Sequence, residues 1–542
     1  MIDKDTNNIV GYINFVLHGH LPFVYHPEHQ DFLEEDWVFE AIVEVYIPLI
    51  DMLWELYELY NIKSKLNISL SPTLIYLLSN KKILEKLQNY INKRINFLQT
   101  SIKRDPIVKN QYLIKLFLFY LDFYKKIDFS LNKKYKRDLL GQFKKLNDLG
   151  IIHLFSTNLT HTFMPNYISY PWYLNLLVKN SKKEFLYFFN KNLESFWLPE
   201  AGYHPQIEEA LKKSNIKRTI LEAHGIIFGQ PKPINVIYTP VYSSNKILYY
   251  PRDFESAKKV WSREIGYPAN LVYRDFYKDI GFEFDIEDIK DLLHKNYDGG
   301  FDRSFTGIKL WNIKKDFYNI EEAKQQTYLD ALDLFSNIKH RLIKIKDKIK
   351  FAKPILTMPF DMELFGHWWF EGIDFLKNLI LIFSNQNEIQ LTTLEEYQKI
   401  YSKHQIVNPI FSSWGEKGFA EVWSSNKVSS MLTTTYRVLE DYKYLVDMYK
   451  NNVIQINAYR KRLFVLLVKN ILLLTSSDWP FMAYNNTSHY AYNRFNELFN
   501  RVETLLSLLL NKEEKKDILK EIEFLTDIFY NLEFEDLPLI ND

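Results

Sequence analysis

Met358-Pro-Phe-Asp-Met-Glu-Leu-Phe-Gly-His-Trp-Trp-Phe-Glu-Gly372 decides the fold. Before it, Pro354–Met358 is a short apolar run of the length of a buried strand, and after it Ile373–Phe383 is apolar at helical spacing. Asp361 therefore falls where a strand gives way to a loop. In an α/β barrel that is the catalytic face, because the loops after the strand ends line the mouth. The loop carries two carboxylates (Asp361, Glu363), a histidine (His367) and paired tryptophans (Trp368, Trp369). Acids beside aromatic rings suit a cleft that cleaves sugars. The same stretch also fits a loop whose tryptophans only pack.

The pattern repeats upstream. Ile9–Leu17 is strand-like and ends in His18-Gly19-His20-Leu21-Pro22, with the two histidines spaced to face one side. Asn67–Ser71 is a short strand with Pro72 at its exit, and Gly150–Ser156 is another, followed by Thr157–Pro165 with His161. Ser195–Leu198 ends in Pro199-Glu200-Ala201-Gly202-Tyr203. Thr219–Glu222, Ile247–Arg252 and Ile389–Leu391 are further strands. Glu40–Tyr60 reads as an amphipathic helix. Leu74–Leu149, dense in Lys, Leu, Tyr and Phe, reads as several inserted helices. Gly229–Ser244, with three prolines, is a surface loop. Phe276–Tyr297 and Phe301–Trp311 mix loop and strand, and Asn319–Ile349 is a long helix. From Thr433 onward the period is almost purely helical: Thr433–Tyr449, Ile456–Leu474, Tyr490–Asn511 and Glu514–Leu532 form a bundle that Ser477–Phe481 interrupts.

Composition narrows the function. The 542 residues suit one large barrel with attachments, and 47% hydrophobic content makes a sizeable core easy. A formal net charge of +1 gives no reason to expect nucleic acid or an anionic membrane surface. Charge runs such as Lys512–Lys516 read as solvated helix faces. The absence of cysteine rules out disulfides, thiolate nucleophiles and Cys-based metal sites. Met1–Asn8 lacks the layout of a signal peptide, and Leu463–Leu474, interrupted by Lys469 and Asn470, is too short for a membrane span. The expectation is a cytoplasmic protein without membrane or nucleic-acid partner. His18-x-His20 by itself is a weak metal signal, since a metal needs further ligands nearby.

Glu200 and Asp361, at separate strand ends, suit glycoside chemistry. One acid protonates the leaving oxygen and a second carboxylate acts across the ring. The alternative is that each is a strand-end cap or ion-pair partner.

Taken in order, His18–Pro22, Thr157–Pro165, Phe196-Trp-Leu-Pro-Glu200 and Asp361–Gly372 resemble the motifs of glycoside hydrolase family 57. Glu363–Trp369, Ser413-Trp-Gly415, Ser477–Phe481, Arg252-Asp253, Val260–Ser262 and Gly266–Pro268 resemble its 1,4-α-glucan branching enzymes. The likeness runs from about Ile13 to about Asn496. It implies a distorted (β/α)7 barrel over 1–400, with a helical insertion at about 74–149, and a C-terminal α-helical domain over 401–542 that completes the cleft. It implies retention through a covalent intermediate with no cofactor or metal, an α-glucan substrate and a monomer. Residue by residue, Glu200 corresponds to the nucleophile and Asp361 to the acid/base. His18, His20, Trp37, His161, Tyr203, Tyr238, Arg252, Trp261, His367, Trp368, Trp414, Trp423 and Trp479 correspond to substrate-binding or cleft-supporting positions. Two departures bear on transfer rather than cleavage. Lys417-Gly-Phe419 stands where the family usually has Gly-Gly-Asp. Ile234 and Asn235 stand where the loop thought to cover the acceptor side usually carries a basic residue and a tyrosine. An α-amylase-like hydrolase, a 4-α-glucanotransferase, a glucan-binding protein without catalysis and a metal-dependent deacetylase using His18 and His20 are the rival readings.

Overall fold

Strand Gly11–Gly19 is buried along its whole length, as a parallel strand covered on both faces must be. The computed structural model describes residues 8–538 apart from 263, 297 and 512. Met1–Asn8 (but for Asn8), Tyr297 and Lys512, named above, lie outside the described residues. On one side Gly11–Gly19 pairs in parallel with Ile355–Asp361. On the other its upper half pairs with Leu66–Leu70 and its lower half with Ile389–Leu391. From Leu66–Leu70 the parallel order continues through Ile152–Thr157, Ser195–Trp197, Arg218–Leu221 and Leu248–Pro251. Val241–Tyr242 adds an antiparallel edge.

The sheet curls until its ends meet. Arg252 bridges Thr357 in parallel, and Asp253 N–H donates to the Thr357 carbonyl at 2.7 Å. A single bridge in place of a full ladder closes seven parallel strands into a distorted (β/α)7 barrel. Register then decides the site. His18 is the direct partner of both Asp361 and Ser69, so these side chains emerge at one level of the mouth.

The insertion is helical as expected: Pro72–Ser79, Lys81–Ser101, Gln111–Phe129 and Leu139–Asp148. Ser71, Asn80, Asn110 and Asp138 cap them by accepting from backbone N–H groups of the first turn. The predicted Glu40–Tyr60 helix starts earlier, at Asp36, and contains a π-helical turn at Ile42–Tyr46. One extra residue in a turn leaves the overall periodicity almost untouched, so the sequence pattern conceals it. At Gly366 (φ +118°) a Cβ would lie 2.1 Å from the Glu44 carbonyl, so only glycine lets the Asp361 loop reach that turn.

Short helices Ile280–Glu283 and Ile286–Ile289 and a small hairpin (His294–Lys295 with Phe301–Asp302) replace the mixed strand and loop read before the long helix, which spans Ile320–Ile345. The C-terminal helices are Ser429–Lys450, Ala458–Leu474, Asp478–Asn485, Tyr490–Leu510 and Lys516–Leu525. Ser477–Phe481 thus starts a helix rather than interrupting a bundle. Taken as one run, Ala458–Asn485 is long enough to cross a membrane, and an 18-residue window within it has a mean hydropathy of 1.3, contrary to the sequence reading. Yet 78% of that window is buried inside the protein, which is what a core helix shows.

Candidate active site

Glu200 leaves its strand through a left-handed turn. Its φ is 60° and that of Ala201 is 48°, a conformation that costs a non-glycine residue about 1–2 kcal/mol. Backbone bonds from Ala201 N–H to Leu198 O (2.8 Å) and from Trp414 N–H to Glu200 O (3.0 Å) hold it. His161 is left-handed as well, at φ 54°. Strain gathered at one place is typical of sites where geometry matters more than local comfort. The Glu200 side chain is only 13% exposed. Trp414 Nε1–H donates to Oε2 at 2.8 Å, Ser477 Oγ–H donates to Oε1 at 3.1 Å, and His161 Nδ1 lies 3.6 Å from Oε1.

Beside it four rings stack. His20 and His161 have centroids 3.8 Å apart, His161 and His18 5.0 Å, and His18 and Trp197 4.9 Å. The hydrogen bonds assign the tautomers. Ser477 gives its proton to Glu200, so its oxygen accepts from His161 Nδ1–H at 2.9 Å. His161 Nε2 then accepts from His18 Nε2–H at 2.9 Å, and His18 Nδ1 accepts from Ser69 Oγ at 3.1 Å. Both rings are neutral in this chain. Burial first, then the neighbouring histidine charge, pushes both well below the usual imidazole pKa. His20 behaves differently. Burial works against its charge, but Asp478, 3.0 Å from Nε2, outweighs that and raises its pKa.

Asp361 faces this arrangement from the neighbouring strand end and is partly exposed. Burial pushes its pKa up to about 6, opposed by the charges of Arg252 and His20 and, among the described residues, by no hydrogen bond. Glu200 is pushed to about 7, first by burial and then by the charge of Asp361, against the Trp414 bond. The two carboxyls feel each other, and two like charges in a poorly solvated site favour sharing one proton. Behind them Glu363 accepts from Tyr46 Oη at 2.5 Å and is raised to about 8, again mainly by burial.

The other expected residues divide. Arg252 pairs with Glu222 and lies 5.4 Å from the Trp414 ring. Trp261, 57% exposed, lines a cleft of about 480 Å³ with Arg252 and Phe254. Trp368 is 54% exposed. Trp37 is half-buried, edge-on to Tyr490. Three expectations need correction, those for Tyr203, His367 and Tyr238. Tyr203 is buried and donates to Glu208 at 2.7 Å, so it packs the wall behind Glu200. Trp423 and Trp479 are each 1% exposed; they support the cleft without presenting a face to it. His367 turns its nitrogens to Glu44 (2.8 Å) and Glu40 (3.7 Å), bracing its loop against the π-helical turn. Tyr238 pairs through its carbonyl with Ile355 N–H, at the opposite end of the seventh strand from Asp361, roughly 20 Å away at strand rise. Asn235 is bound to Lys350 at that same end. The loop expected to cover the acceptor side is therefore anchored on the far face of the barrel.

Ser477, Asp478 and Trp197 were not picked out as site residues. The sequence signals that contain them are the Ser477–Phe481 and Phe196–Glu200 motifs on which the resemblance rests. The grouping of metal-ligand type among the described residues is His26, Glu28 and His29, not His18 with His20. His26 already bonds Glu28 (2.9 Å) and Tyr490 (2.9 Å).

A seven-stranded α/β barrel with a carboxyl pair at its mouth, ringed by stacked aromatics, is the architecture of a glycoside-processing protein. The sequence profile of glycosyl hydrolase family 57 matches residues 14–409, and the chain belongs to that family. Residues 436–536 match the profile described as 1,4-alpha-glucan branching enzyme, C-terminal. A 1,4-alpha-glucan branching enzyme of Thermococcus kodakarensis is 25% identical over 503 residues, 87% of this chain and 70% of the relative. Among solved structures, the alpha-amylase AmyC from Thermotoga maritima is 30% identical with a TM-score of 0.87, covering 98% of this chain and 99% of that one. A branching enzyme from Pyrococcus horikoshii, 24% identical over 98% of this chain and 97% of its own, has the same fold at a TM-score of 0.83.

Proposed function

We propose that this chain is a retaining 1,4-α-glucan branching enzyme acting in glycogen-like polymer synthesis. The observation that carries the chemistry is the unequal dressing of the two carboxyls. Glu200 is fixed by Trp414 and Ser477, as a nucleophile must be. Asp361 is free to gain and lose a proton. Glu200 Oε attacks the anomeric carbon while Asp361 delivers its proton to the departing glycosidic oxygen, which leaves with the reducing-end chain. A covalent glycosyl-enzyme results. Asp361, now ionised, takes the proton of an acceptor 6-hydroxyl as that oxygen attacks the anomeric carbon and Glu200 departs. The product is an α-1,6 branch with retained configuration. The C-terminal profile match and the curated relative support transfer to a glucan. We further infer a cytoplasmic monomer, from the cysteine-free composition and the family resemblance.

A second reading, an α-amylase-like hydrolase, draws support from the 30% identity to the Thermotoga maritima protein and from the loop anchored away from the mouth. Incubation with amylose separates the two. Branching lowers iodine colour with little new reducing sugar and creates α-1,6 signals in the NMR spectrum. Rising reducing ends without those signals would establish the hydrolase instead.

A further inference from the structure

A row of aromatic rings leaves the site along the surface. Trp368 stacks on Phe276 with centroids 4.5 Å apart. Phe276 meets Phe305 at 5.4 Å, and Phe305 meets Phe282 at 5.0 Å. Trp368 and Phe282, at the two ends, are 54% and 44% exposed. The row starts in the Asp361 loop: Trp368 N–H donates to the Glu363 carbonyl at 3.2 Å, and the Glu363 carboxyl feels the charge of Asp361. Below it the buried Lys309 ammonium lies 4.0 Å from the Phe276 centroid and 5.0 Å from that of Phe305. That contact holds two rings in place before any ligand arrives, so little order has to be created on binding.

A contiguous ring row on a soluble protein marks something it binds. We propose that Trp368, Phe276, Phe305 and Phe282 form an extended track for the part of an α-1,4-glucan chain that lies beyond the reacting sugars. Trp368 and Phe282, the exposed ends, offer ring surface for apolar sugar faces, while Phe276, covered by Trp368 and Lys309, and Phe305 fix their spacing. This inference rests on the glucan reading above and adds the prediction that affinity grows with chain length.

The test uses Phe282→Ala and Phe282→Trp in full-length protein carrying Glu200→Gln, so that ligand is not consumed. Retardation in native gels containing amylose is compared with the affinity for maltotriose, a chain of only three sugars. We expect Phe282→Ala to weaken amylose binding about five- to tenfold, leave maltotriose within about twofold, and Phe282→Trp to restore the loss. Equal retardation of Phe282→Ala and its parent overturns the track. So does equal weakening toward both ligands, which would mean a displaced loop. A change in molecular mass in solution also overturns it, since the row would then cover a second copy of the chain. If the native enzyme left amylose untouched in the iodine and reducing-end assays, the glucan reading would fall, a result distinct from any of these.

Discussion

The two sides of the mouth are built on opposite plans. On the Glu200 side the carboxylate is dressed at both oxygens: the Trp414 indole donates to one, and a series of two neutral histidines and Ser477 runs to the other. On the Asp361 side the carboxyl is held only by its strand, with Arg252 and His20 acting through charge. Burial raises both, Glu200 to about 7 and Asp361 to about 6, so the pair holds one proton near neutral pH, and the donors fixed on Glu200 favour the arrangement with that proton on Asp361 during attack. The difference separates a group that must attack from one that must shuttle a proton, although the two share one chemical type.

The comparison breaks most sharply at Glu200. Glu200→Gln keeps shape and removes the anion, so turnover on amylose should fall by about 10⁴-fold or more while glycogen binding persists. Activity near the native level would move the nucleophile elsewhere. Asp361→Asn should cost about 10²–10⁴-fold. Its loss should shrink on a glucosyl fluoride, whose leaving group needs no proton. An equal deficit on both substrates would deny Asp361 the acid role. With one proton needed between the pair, native activity should peak between about pH 6 and 7 and fall on both sides. A flat profile from pH 5 to 8 would contradict that.

Trp414→Phe sharpens the comparison by keeping the ring and deleting the donor. A hydrogen bond to a charged group contributes about 1.5–3 kcal/mol, so kcat should drop roughly 10- to 100-fold. The basic limb of the pH profile should also move upward, because Glu200, which titrates at about 7, loses a donor to its anion. A loss of rate with an unmoved limb would reduce Trp414 to packing.

The strand ends were legible because an apolar run broken by one polar residue has few other meanings: His18, Glu200 and Asp361 all announce themselves that way. Ser477 and Asp478 stood out as part of the Ser477–Phe481 motif, but not as partners of Glu200 and His20, because they reach the site only by the arrival of a distant helix and no local pattern encodes that approach. Trp423 and Trp414 show a second limit. Their sequence context is the same loop, yet one ring is buried against Phe163 at 4.4 Å and the other donates to Glu200. Residue type predicts an aromatic wall but not which ring faces inward. Tyr238 shows a third, since a loop motif does not say which end of the barrel its loop is tied to.

The smallest expected effect lies behind the pair. Glu363 is raised from the ordinary carboxyl value to about 8, chiefly by burial. Its folded form binds a proton more tightly than its unfolded form. The cost of burying its charge is therefore complete above pH 8, shrinks as pH falls through 8, and is gone below the unfolded value of about 4.5. Glu363→Gln keeps an acceptor for Tyr46 and removes that cost. It should stabilise the protein by roughly 2–4 kcal/mol at pH 9, visible as a Tm raised by a few degrees, with the gain disappearing toward pH 4.5. Glu363 is neutral where Asp361 titrates, so the activity profile between pH 6 and 7 should stay where it is. A Tm gain of the same size at pH 4.5 and pH 9 would mean that Glu363 destabilises through packing rather than charge. The burial argument made for the whole acidic side of the mouth would then fail at the residue where it is strongest.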